Sequence, residues 1–169
     1  MKKIFNILIL LLLSLSGYTQ THLDTLVLNE INKHRTRKII IDNKYYKSSF
    51  NHNLNMAEYN DSILKYSRIP ITGHDDYVFG DTIKFKERYK NVECGEIVTF
   101  LFKMSSMEID TNKLVDNIYD VFYKSIPHRK IMLDNKWEYA TASIYFYESD
   151  KSMCKGKIIY VTILFYNIE

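Results

Sequence analysis

The chain has 169 residues, 46% hydrophobic and 25% charged, with 23 Lys and Arg against 20 Asp and Glu, two Cys, 5 Gly and 2 Pro. That is the composition of one ordinary folded domain, and it excludes a disordered tail, a collagen-like repeat and a disulfide-dense miniprotein. Two of the cations, Lys2 and Lys3, stand in what reads as a leader; the remaining 21 against 20 give no electrostatic case for binding nucleic acid.

Met1 to Thr19 has the form of a secretory signal, with Lys2 and Lys3 as the charged start and Ile4 to Leu15 as the hydrophobic run. The run is shorter than the roughly 20 apolar residues that span a bilayer. Small residues at Gly17 and Thr19 suit cleavage before Gln20, which leaves residues 20–169 as a single exported domain with no transmembrane segment; an uncleaved N-terminal anchor is the rival reading. Leu23, Leu26, Val27 and Ile31 recur at helical spacing and predict a first helix over Thr21 to His34. Asn53 is placed to cap a second helix carrying Leu54, Ala57 and Leu64 on one side, and Pro70 with Gly73 breaks it. His74 to Glu93 shows no sustained period and reads as irregular or briefly helical. Glu96 to Phe102 is a β-prone run, and a third helix follows from a cap at Asp110 or Thr111 through Leu114, Val115, Ile118 and Phe122 to Ser125. Two strands, Tyr139 to Tyr147 and Lys157 to Tyr166, close the chain. The last is apolar at almost every position, so it needs cover on both faces and belongs at the centre of a sheet. The predicted fold is α+β, an α-β-α sandwich with a small central antiparallel sheet.

In an exported chain Cys94 and Cys154 are expected to pair, closing a loop of about 60 residues that contributes roughly 4 kcal/mol; two half-buried thiols are the alternative. His22, His34 and His52 stand in polar surroundings and read as solvated surface residues. His74 and His128 each follow an element, where loops place functional groups, and Glu96 opens an apolar strand, where a carboxylate must be hydrogen-bonded, paired or ligated. Ser125 ends the third helix and reads as a hydroxyl bonding backbone rather than a nucleophile.

The order of these signals resembles the CAP superfamily, the cysteine-rich secretory, antigen 5 and pathogenesis-related 1 proteins, in particular its short bacterial secreted members. Asn32 and Arg35 match the NxxR that ends the family's first helix, and Leu54 with Ala57 the pattern of the next. His74, followed by Gly95 and Glu96, is similar to the family's first His and its GEN motif, with Ile97 in place of the Asn. FYKSIPHRKIML resembles WxxSxxHRxxIL through Ser125, His128, Arg129, Ile131 and Leu133, with Phe122 replacing Trp, and YVTILFY resembles the closing strand. Ala140 and Ala142 stand where the family has a glycine-rich GxG.

The resemblance implies an α-β-α sandwich with an open cleft in which His74, Glu96 and His128, beside Ser125, converge and can hold a divalent ion such as Zn²⁺; the alternative for these three is a hydrogen-bonded polar cluster that ties the loops to the sheet and binds nothing tightly. It implies a secreted or periplasmic, non-enzymatic binding module acting on an extracellular or envelope ligand, a metal ion or a small apolar molecule. The alternative is a metal-dependent hydrolase using the same His and Glu cleft, although no general base is identifiable beside it.

Overall fold

The computed structural model describes residues 22–64, 70–78, 81–104, 108–150 and 156–168. Helix α1 spans residues 22–33. It is followed by β1 (Ile40–Ile41), α2 (Tyr46–Ile63), β2 (Asp76–Val78), β3 (Asp81–Ile83), α3 (Phe85–Arg88) and β4 (Cys94–Met104). Helices α4 (Thr111–Lys124) and α5 (Ile126–Met132) then lead into β5 (Tyr139–Ser149) and β6 (Gly156–Tyr166).

The main sheet runs β1-β5-β6-β4, so β6 lies at its centre as its unbroken apolar sequence requires. The odd residues Ile159, Val161, Ile163 and Phe165 face one way and pack beneath α1 and α4 through Val27, Leu28, Ile31, Ile118 and Phe122. The even residues Ile158 and Tyr160 face the other way, onto Met56, Ala57 and Leu64 beside Val98. These two cores, one on each side of a four-stranded sheet, make the expected α-β-α sandwich. The sheet is mixed rather than wholly antiparallel, because the two-residue β1 pairs parallel to β5.

Helix α4 begins where the sequence indicates: the Asp110 side chain accepts from the backbone N–H of Asn112 and Lys113 at 3.0 and 3.1 Å. Helix α2 differs from the expectation. It starts at Tyr46, seven residues before Asn53, and Asn53 is not a cap but a fully buried residue in mid-helix. The buried stripe is Ser49, His52, Asn53, Met56, Ala57 and Asn60, which keeps helical spacing but is mostly polar. Asn53 makes this possible by donating to Ser143 O at 2.8 Å and accepting from the Thr162 hydroxyl at 2.7 Å. Asn60 holds both backbone groups of Ile71, at 2.7 and 2.8 Å.

The expected Cys94 to Cys154 bridge involves a residue that the structure does not describe. Cys154 lies outside the described residues, and Cys94 is a free thiol. Because β4 and β6 are antiparallel, Cys94 lies opposite Tyr166, whereas Gly156 lies opposite Met104 at the far end of the ladder. The leader at Met1 to Thr19 also lies outside the described residues. Among the described residues no helix is long and apolar enough to cross a membrane.

Candidate functional site

Two structural ties bring the loops of one sheet edge together. At the end of α1, Asn32 accepts from Ile39 N–H at 2.9 Å and donates to Ile39 O at 3.0 Å, folding the chain back toward β1. Buried Arg35 donates to the carbonyls of Met132, Asp134 and Trp137, at 2.5, 2.8 and 3.3 Å. It thereby satisfies the orphan carbonyls after α5 and fixes the segment that follows His128. Gly95 packs against the same segment: a Cβ there would lie 2.9 Å from Ile131 Cγ2 and 3.0 Å from the Trp137 ring. The missing side chain lets the start of β4 approach α5 and the indole closely.

Next to Gly95, the Glu96 side chain is wholly buried and surrounded by donors. Arg88 Nη2 donates to both of its oxygens at 3.0 Å, the Tyr89 hydroxyl donates to Oε1 at 3.3 Å, and His74 Nδ1 donates to Oε2 at 3.1 Å. The requirement that a carboxylate here be paired is met four-fold. Arg88 is itself held against the faces of Tyr89 and Phe85, 5.1 and 5.9 Å from the ring centres. Burial and the Glu96 charge push the Tyr89 hydroxyl up to about 12, so it stays a donor across the physiological range.

The structure brings His74 and Glu96 together, with the His74 side chain 49% exposed. Its Nδ1–H is committed to Glu96, and Nε2 is without a hydrogen-bond partner among the described residues. His128 stands on the first turn of α5, half-buried and edge-on to Phe122 at 5.4 Å. Burial, and secondarily the nearby His74, hold its imidazole below the ordinary histidine range. No hydrogen bond joins the two rings, and His128 Nδ1 is buried without a partner among the described residues. Ser125 links α4 to α5; its side chain makes no capping bond, and its carbonyl accepts from Arg129 N–H at 2.8 Å. Ser125 has the same extended N-cap backbone as Asp110, but Pro127 at the second helical position has no N–H to donate, and the expected backbone-bonding hydroxyl is not seen.

The largest departure from the sequence reading is His52, expected at the surface and found fully buried on α2. Its Nδ1 bonds the Asp76 carboxylate, its Nε2 donates to Gly73 O at 2.9 Å, and Glu96 Oε2 lies 3.9 Å from Nε2. Asp76, also buried, is 3.5 Å from Arg88 Nη1. Four ionisable groups, His52, Arg88, Asp76 and Glu96, thus interlock beneath the loop that carries His74. Hydrophobic patterning could not reveal His52, because the neighbours along its stripe are polar. The signal that could have revealed it is the helical spacing of Ser49, His52, Asn53 and Asn60, all short hydrogen-bonding side chains.

Of the expected ligand set of His74, Glu96 and His128, only His74 and Glu96 are joined by a hydrogen bond. Both Glu96 oxygens are taken by Arg88, and among the described residues no group of three or more His, Cys, Asp or Glu is arranged to hold one. The donors that remain for a divalent ion are the two imidazoles, with Glu96 orienting His74 from behind. No protein-family model matches the chain, and no curated protein does either.

Proposed function

We propose that this chain is a secreted CAP-type binding module, without enzymatic activity, whose ligand is engaged by His74 and His128 at the rim of the sandwich. The observation that carries the proposal is the 3.1 Å contact between His74 and Glu96, which leaves Nε2 of an exposed ring available. The contacts of the other motif segments support it: Arg35 grips the segment after α5, and Gly95 packs on Ile131 and Trp137. The leader at Met1 to Thr19 supports export, and hence an extracellular or envelope ligand. Zn²⁺ suits two imidazoles completed by water or by a partner's ligand atoms.

The hydrolase reading is weaker on this geometry. A general base must reach water, whereas Glu96 is buried under Arg88, and Asp75 is engaged by Lys84 at 2.9 Å and by Phe85 N–H at 3.0 Å. The proposal is tested by loading purified protein with Zn²⁺, desalting it and measuring retained metal. Retention near one ion per chain, lost in His74→Ala and in His128→Ala, is expected; no retention, or retention indifferent to both substitutions, would refute the metal-binding form of the proposal.

A further inference from the structure

We infer that His52 is the positioning residue for His74, a role that rests, for its consequence in binding, on His74 being a group that meets ligand. The two acceptors that His52 holds, Gly73 O and the Asp76 carboxylate, lie on either side of His74 in the chain. A carbonyl and a carboxylate both call for an N–H, so both ring nitrogens of His52 carry protons. The ring therefore acts as a clip that closes the segment 73–76 from beneath. Asn60, two turns further along the same helix face, anchors Ile71 at both backbone groups. From the opposite side Arg88 Nη2 donates to His74 O at 2.5 Å.

Nothing in the segment's own backbone could do this. Residues 70–75 form neither helix nor strand, so they have no ladder to fix them. Glu96 on β4 and the edge contact with Phe85 at 6.0 Å hold the His74 ring itself, but neither fixes the backbone that carries it. His52 fixes the backbone on both sides of that ring, and so keeps one tautomer and one direction of Nε2.

The test is NMR of the full exported chain labelled with ¹⁵N, using wild type, His52→Gln and His52→Phe. The wild type should show two slowly exchanging ring N–H signals from His52, and His74 as a single tautomer protonated at Nδ1. His52→Phe keeps the shape but removes both donors, and should leave His74 averaging between tautomers while core signals such as those of Ile118 stay in place. Its Zn²⁺ affinity should fall about 10- to 100-fold. His52→Gln, which retains an amide able to reach Gly73 O, should restore part of both. A His74 tautomer unchanged in His52→Phe, or only one protected ring N–H on His52 in the wild type, would overturn the inference. If His52→Phe does not fold, the wild-type spectrum and His52→Gln decide it. Wild-type protein that binds no Zn²⁺ while His74 still loses its tautomer in the variants would sink the binding proposal and leave the clip standing.

Discussion

Arg88 and Asp24 show opposite ways of burying charge. Arg88 joins Glu96 and Asp76, and removing it strands two carboxylates in the interior; Arg88→Met should cost about 3–5 kcal/mol in urea unfolding, and adding Glu96→Leu should recover part of the loss. A double variant no more stable than the single one would show that the pair is not the source of the effect. Asp24 has no such cation among the described residues. It is only 5% exposed, and burial pushes its carboxyl up to about 8, against smaller pulls from the Ile144 backbone and the Tyr46 hydroxyl. The folded chain thus keeps a proton that the unfolded chain releases above the ordinary value of 3.8. Stability falls by about 1.4 kcal/mol per pH unit between those two values and levels off above the upper one. Asp24→Asn should remove that component of the slope and be the more stable protein at pH 8. Parallel stability curves for the two proteins from pH 5 to 8 would contradict it.

Among the elements, those with an apolar period were legible in the sequence. Helix α4 follows from its cap and from Leu114 to Phe122, and the central place of β6 follows from its lack of polar positions. The start and buried face of α2 were not, because Asn53 and His52 are buried on account of partners that come from 90 and 24 residues away. Such long-range satisfaction has no local periodicity to read. The site shows the same division: a carboxylate at the start of a buried strand announced that Glu96 needs partners, but not that Arg88 would take both of its oxygens. Asn53→Ala should cost about 1–3 kcal/mol by leaving Thr162 and Ser143 unpaired in the core. Loss of the Asp110 cap by Asp110→Ala should cost about 1 kcal/mol, and thermal unfolding that ranks the two the other way would show that the buried polar seam matters less to stability than an exposed cap.

For the whole molecule, the antiparallel ladder of β4 on β6 places Cys94 at one end of the sheet, opposite Tyr166. Burial pushes the Cys94 thiol up to about 11, which keeps it protonated and poorly reactive. Cys94 in the native protein should therefore react slowly with a thiol reagent at pH 8, and labelling there as fast as in the denatured chain would contradict its burial. The same architecture makes one edge of the sandwich the meeting place of the α1 end, the His74 loop, the β4 start and α5. Calorimetric titration with Zn²⁺ at pH 7.5 tests most directly the claim that this edge binds through His74 with Glu96 behind it. One site is predicted for the wild type, abolished by His74→Ala and weakened about 10- to 100-fold, but not abolished, by Glu96→Gln. Unchanged binding in His74→Ala, or binding abolished as completely by Glu96→Gln as by His74→Ala, would contradict it.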